Sequence, residues 1–109
     1  MKISKFKQIL ISCCTATYHL EANEEPEDFV VWHQVSEDGL HSDNHRTIDT
    51  AMIAVDYFTK KEYPDVPDKL KKAFRNNDIA FRGPEIIYDQ TTKRSHYAYT
   101  VELVLDGAV

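Results

Sequence analysis

The sequence has very few of the residues from which phosphate-binding and membrane-spanning segments are built. It contains three glycines, and no glycine-rich loop that could cradle a phosphate group can be placed among them. No apolar run approaches the length of a bilayer span. The run Ile9–Ile11 near the N-terminus is too short for a signal peptide and ends in polar residues. We therefore expect neither a nucleotide-binding loop nor a membrane association.

Cysteine is also scarce, and its placement excludes two common uses. The two cysteines, Cys13 and Cys14, are neighbours in the chain. Adjacent cysteines rarely form a disulfide because the ring that results is strained. The pair does not match the ligand spacing of a zinc site either. The sequence therefore predicts two reduced thiols, at least one of them packed as a small apolar group, and synthesis in a reducing cytosol.

Basic residues are fewer than acidic residues in the sequence. The net charge is −5, and no cluster of Lys and Arg is longer than a pair. A sequence-independent grip on nucleic acid needs several basic side chains on one face. The composition therefore argues against nucleic-acid binding and against binding to anionic membranes. The hydrophobic fraction of 42% in 109 residues is typical of one globular domain with a single core, which we assign to residues 1–109.

Two segments have the periodicity of amphipathic helices. From Lys2 to Cys14 the apolar residues recur on one helical face, which predicts a first helix. A second helix is predicted from about Val66 to Asn76, with Asp65 as the N-cap and Pro67 in the first turn. Asn76-Asn77 is expected to supply a left-handed exit.

Four further segments are rich in β-branched and aromatic residues and predict strands: Phe29–Val35, Thr47–Thr59, Ile79–Tyr88 and Ser95–Leu105. The second of them is long and apolar on both faces, so we expect it near the middle of a sheet, with a bulge between Ile48 and Met52. Both faces of the first are expected to be covered. In the third, Arg82-Gly83-Pro84 predicts a kink on an edge strand. The acidic segment Glu21–Asp28 is expected to be a solvated loop, and Ser36–His45 a hairpin connection.

These elements predict an α+β fold. The expected architecture is an antiparallel or mixed sheet of about four strands with two helices packed on one face and a long hairpin. No nucleophile elbow and no set of paired carboxylates accompanies it, so the residues offer no catalytic group and no cofactor site.

One local cluster could hold a metal ion. His41, Asp43 and His45 are spaced closely enough in a loop to bind zinc or another divalent ion if a further ligand came from elsewhere. Their spacing matches no established signature, so the alternative is that they are exposed polar residues on a turn. We therefore assign no metal site, and we retain a small metal-binding module or metal-dependent enzyme as the alternative function.

The order of the motifs resembles a family of small tail proteins of siphophages and prophages of Gram-positive bacteria, the tail-terminator-like or tail-completion components. The resemblance covers about Phe29 to Leu103. The motifs that carry it are Val30-Val31-Trp32, Ser42-Asp43-Asn44, Val55-Asp-Tyr-Phe-Thr-Lys60, the Pro64-to-Phe74 helix, Ile79-Ala-Phe81, Glu85-Ile-Ile-Tyr88 and His96-Tyr-Ala-Tyr-Thr100.

This resemblance implies a structural virion protein and not an enzyme. It implies a subunit that forms a homo-oligomeric ring, expected to be a hexamer, at the end of the tail. The implied partners are the tail tube protein and the head-tail connector proteins, with no sequence-specific nucleic acid. The implied location is the host cytoplasm during assembly and then the virion tail. A ring subunit needs interfaces that close by rotation, and the candidate interface residues are Leu40, Asp43, Asn44, Arg82, Tyr88, Tyr97 and Tyr99.

Overall fold

The chain folds as a five-stranded mixed sheet with two helices, an α+β arrangement. The structure, a computed structural model, describes residues 1–39 and 49–105. The elements in chain order are α1 (Ile3–Cys13), β1 (Thr17–His19), β2 (Asp28–Gly39), β3 (Asp49–Thr59), α2 (Val66–Asn76), β4 (Ala80–Asp89) and β5 (Arg94–Leu105). Within the described part of the chain, neither helix has the length and apolarity that crossing a membrane requires.

The strands lie in the order β1-β2-β3-β5-β4. β3 is therefore central, as its two apolar faces predicted, and β4 is at an edge, as its Gly-Pro interruption predicted. The register of β4 on β5 shifts between Arg82 and Glu85, which confirms the predicted kink. All neighbouring strands are antiparallel except β1, which runs parallel to β2.

β1 is the strand that the sequence did not predict. It is three residues long and lies in a segment without regular apolar alternation. Two backbone hydrogen bonds that flank it hold it on the edge of β2, from the N–H of Val30 to the carbonyl of Ala16 and from the N–H of Leu20 to the carbonyl of Trp32. A strand this short gets its stability from its partner, and its own residues carry almost no signal.

β2 also differs from its prediction, because it continues past Val35 to Gly39. Its residues pair with β3 as far as the Gly39 and Asp49 positions, so residues 36–39, which the sequence placed in the hairpin connection, belong to the strand. The bulge expected in β3 lies instead in β2, between Gln34 and Ser36. The extra residue there is Val35, whose side chain is exposed.

Both helices pack on the same face of the sheet, and the core lies between the two layers. The ring of Phe6 in α1 meets Trp32 edge-on at 6.0 Å, and the ring of Phe74 in α2 lies 6.0 Å from Tyr99. Phe6 and Phe74 also stack on each other, which joins the helices. Cys13 and Cys14 are free thiols buried in this cluster, and burial raises the pKa of each. This agrees with the prediction of reduced, packed cysteines.

α2 has the bounds and the buried stripe that the sequence predicted, but its ends differ in detail. Asp65 occupies the N-cap position without a side-chain cap bond, and its carboxylate pairs instead with Lys69 at 3.2 Å. At the other end, Asn77 has a φ of −109°, so it is not left-handed. The positive φ of 56° falls on Asp78, one residue later. An Asp tolerates this conformation because its short polar side chain can bond locally.

Candidate functional site

The sheet face opposite the helices, called here the open face, carries a wide groove. The groove has a volume of about 700 Å³. Its floor is made by residues of the three central strands, and its walls are the acidic loop that begins at Leu20 and the hairpin between β4 and β5. This corrects the expectation that both faces of β2 are covered. The two helices, of 11 residues each, lie over the face that bears Val30 and Trp32.

The floor is a row of stacked rings. Phe29, Phe58 and His96 lie on neighbouring strands, and strand register places them side by side. The ring centroids of Phe29 and Phe58 are 4.9 Å apart, and those of Phe58 and His96 are 4.5 Å apart, with interplanar angles of 18° and 14°. Cross-strand aromatic pairs of this kind stabilise a sheet. Phe29 is buried, whereas Phe58 and His96 are partly exposed at the floor of the groove.

Arg94 ties the acidic loop to the floor. Its guanidinium donates to the backbone carbonyls of Glu25 and Pro26, each at 3.1 Å, and pairs with the Glu25 carboxylate at 3.4 Å. It also lies 5.3 Å above the centre of the Phe29 ring. The segment that the sequence predicted as a solvated loop is therefore fixed in place as one wall of the groove.

His96 is held by a second polar contact. Its Nε2 atom lies 2.7 Å from the Asp56 carboxylate, on the adjacent strand. The contact joins β3 to β5 on the open face. Arg94 and His96 thus each have a partner within the chain.

A cluster around Asp28 fixes the end of β2 and β3 where the groove lies. The Asp28 carboxylate accepts hydrogen bonds from Tyr57 at 2.9 Å and from Thr59 at 2.6 Å, and pairs with Lys61 at 3.1 Å. Burial raises the pKa of Asp28, but the bonds from Thr59, Lys61 and Tyr57 outweigh burial and hold it below its ordinary value. Since Asp28 and Thr59 are chain neighbours of Phe29 and Phe58, the cluster positions the floor.

The rim of the groove exposes large apolar side chains. Leu20 on one wall is 68% exposed, and Ile87 and Tyr88 on the other are 49% and 58% exposed. Ile86 is also exposed, but it pairs with Tyr97 whereas Ile87 pairs with His96, so its side chain lies on the other face of the sheet. Soluble monomers rarely expose a contiguous apolar patch larger than roughly a few hundred Å² unless a partner covers it.

The other edge of β4 also lacks a neighbouring strand in the described sheet, and such edges are open to pairing.

The four candidate interface residues that the structure describes fall into three groups. Arg82 and Tyr88 are exposed on the edge strand. Tyr97 is partly buried and packs against Tyr57 with ring centroids 5.7 Å apart. Tyr99 is 1% exposed beneath Phe74. Tyr99 therefore belongs to the core of the subunit, and the prediction of an interface role does not fit it.

The remaining candidates, Leu40, Asp43 and Asn44, lie outside the described residues, and so does the loop with His41 and His45. Among the described residues no group of three or more His, Cys, Asp and Glu could hold a metal ion. The metal-binding alternative therefore stays a prediction, which the zinc content of the purified protein tests.

Sequence reasoning missed the residues that form the groove, notably Phe29, Phe58, Glu25 and Arg94. The signal was present in the alternation of the strands. β2 and β3 carry apolar residues at both parities, whereas residues 1–39 and 49–105 form two amphipathic helices to cover them. Two short helices placed side by side cover one face of a sheet, so the apolar residues of the other parity are left uncovered by them.

No protein-family model matches the chain, and no curated protein matches it at a significant level.

Proposed function

We propose that the chain is a non-enzymatic assembly subunit, a tail terminator or tail-completion component of a phage or prophage. In this proposal it forms a homo-oligomeric ring, expected to be a hexamer, at the end of the tail that meets the head. The observation that supports it most is the open face, where an apolar groove and an exposed edge strand lie side by side. Such a surface is typical of a protein that is buried against partners.

The polar groups of the groove support assembly over catalysis. Arg94 is committed to the acidic loop and His96 to Asp56, so both stabilise the surface. A catalytic site would also need a nucleophile or a metal ion beside the histidine, and the lining of the groove, within the described residues, contains no Ser, Cys or Lys. The motif order that resembles the phage tail family supports the particular assembly. The partners proposed on that basis are the tail tube protein and the head-tail connector, in the host cytoplasm and then in the virion.

The net charge of −5 agrees with a conduit through which DNA passes without adhering, because acidic surfaces avoid tight phosphate contacts. This part of the proposal predicts that the protein does not bind duplex DNA with a salt-dependent affinity in the micromolar range. A salt-dependent shift of labelled DNA on titration with the protein would contradict it.

The oligomeric state tests the main proposal. Light scattering after gel filtration, over a series of concentrations, measures the mass of the protein alone and mixed with the tail tube protein. We expect ring-sized species in at least one of these conditions, visible as rings by negative-stain microscopy. A chain that remains monomeric in both, and does not bind the end of the tube, would contradict the proposal.

A pair of matched variants shows whether the open face takes part in ring formation. Ile87→Lys places a charge in the exposed apolar rim, and we expect it to weaken ring formation because a lysine there must be desolvated on assembly. Val104→Lys is the control, since Val104 is 54% exposed on β5 and does not line the groove. If the two variants assemble equally well, the groove is not part of the interface.

A further inference from the structure

We propose that the groove receives the α2 surface of a second copy of the chain, defined as Tyr63, Lys69 and Lys72. This inference rests on the proposed function and names the two surfaces that would meet in the ring. It follows from the distribution of charge, from the position of one exposed aromatic residue, and from the placement of both surfaces in the fold.

Charge is divided between the helices and the rest of the chain. The two helices carry six of the 13 Lys and Arg but one of the 18 Asp and Glu, and the remainder therefore carries seven basic and 17 acidic residues. On α2, Lys69 and Lys72 are exposed and three residues apart, so they lie on one side of the helix, away from the core. The helical layer is thus a positive surface on a negative protein.

The groove has the opposite charge. Four carboxylates line it, from Glu21, Glu25, Asp56 and Asp89, against one permanent cation, Arg94. Asp56 is engaged by His96 and Glu25 by Arg94, whereas Glu21 stands exposed at the rim. A partner that fits this groove combines positive charge with apolar area for the ring floor. Lysine side chains do both, because their stems pack on apolar surface while the ammonium groups reach the carboxylates.

Tyr63 supplies the aromatic side chain. It is 88% exposed, the highest exposure among the large apolar residues of the described chain, and it lies in the turn that leads into α2. Asp65, two residues further on, pairs with Lys69, which places this turn beside the first lysine of the helix. Tyrosine is enriched among the residues that dominate binding energy when they enter a pocket.

The two surfaces lie on opposite faces of the sheet, so the groove cannot be filled by α2 of its own chain. For the same reason a two-fold dimer cannot make both contacts reciprocally. The contact is head-to-tail, and repeated contacts of that kind close into a ring when the rotation allows. The charge pattern therefore favours the kind of interface that a tail ring needs.

Reciprocal charge reversal tests the inference. Lys69→Glu with Lys72→Glu reverses the α2 surface, and Glu21→Lys with Glu25→Lys reverses the groove. We expect each double variant to assemble about tenfold more weakly than the wild type, or worse, because like charges then face each other. Mixing the two should restore assembly, in which the variants alternate around the ring. Lys5→Glu with Lys7→Glu is the control, since it makes the same change of charge on α1 and should leave assembly intact.

Tyr63→Ala tests the aromatic anchor without changing the charge, and we expect it to weaken assembly by about tenfold or more. Circular dichroism confirms that each variant folds. This inference would be overturned if both charge-reversed variants formed rings as well as the wild type, or if mixing them did not restore assembly. The proposal that the chain forms a ring would still stand in either case. A wild-type chain that assembles neither alone nor on tube protein would instead overturn the proposed function.

Discussion

The two faces of the sheet are made from the same strands but have different roles. On the covered face Ile53, Val55 and Val101 are completely buried beneath the helices. On the open face Phe58 and His96 are partly exposed, although they stack as closely as core rings do. The covered face thus contributes most of the stability of the subunit, while the open face combines modest stability with a surface suited to a partner. Three sets of substitutions test this difference.

The largest expected effect is the loss of a core ring. Phe74 contacts the rings of Phe6, Phe81 and Tyr99, so Phe74→Ala leaves a cavity at the centre of the covered face. We expect it to lower the free energy of unfolding by about 3–5 kcal/mol. Phe58→Ala is the matched change on the open face, where the ring is partly exposed, and should cost about 1–2 kcal/mol. Urea unfolding of both variants measures the difference, and equal losses would contradict the division between the faces.

An intermediate effect is expected at the Asp28 cluster, which joins the two faces at one end of the sheet. Asp28→Asn removes the charge that Tyr57, Thr59 and Lys61 surround, and should cost about 1–3 kcal/mol at neutral pH. The pKa of Asp28 in the folded state is below its ordinary value of 3.8. Its contribution is therefore present above that value and is lost as the pH falls through the folded-state pKa.

Thermal unfolding between neutral and strongly acidic pH checks this sign. The wild type should lose stability on acidification more steeply than Asp28→Asn, so the two curves should converge in acid. Parallel curves would mean that the Asp28 carboxylate does not contribute through its charge. Glu62→Gln, a change of an exposed carboxylate close in sequence, serves as the control.

The smallest effect is expected at the His96–Asp56 pair on the open face. The two side chains are 29% and 20% exposed, so solvent screens their attraction. A double-mutant cycle with His96→Ala and Asp56→Ala should give a coupling energy of about 1 kcal/mol or less. A coupling of several kcal/mol would make this pair as important as a core contact, and the open face would then be a second structural centre.

Much of the fold could be predicted because its signals are local. The period of the two helices, Pro67 at the start of α2, and the alternation of Ser95–Leu105 each depend on residues close in sequence. The same alternation could not show which of the two sets of side chains on the strand the helices would cover. In the sequence, nothing distinguishes Tyr97 from Tyr99 as a surface residue. In the structure Tyr99 lies directly under Phe74 and is buried. That difference depends on where α2 lies along the strand.

The strand alternation indicates an uncovered sheet face, but the walls and polar contacts of the groove could not be predicted, since their residues are far apart in the chain. Arg94 and Glu25 are 69 positions apart, and Asp56 and His96 are 40 apart. Nothing near Glu25 indicates that its backbone carbonyl accepts a bond from a hairpin, and so the acidic loop resembles any solvated segment. Strand order brings these residues together, and the short strand β1 places the start of the acidic loop beside β2.

By itself the sequence determined the helices, the main strands and the central place of β3, because hydrophobic period and turn residues act over a few positions. The tertiary structure alone decided which sheet face the helices cover and which is left open. Two short helices can cover one face, and the choice is made by long-range packing of Phe6, Trp32 and Phe74, which no local pattern encodes.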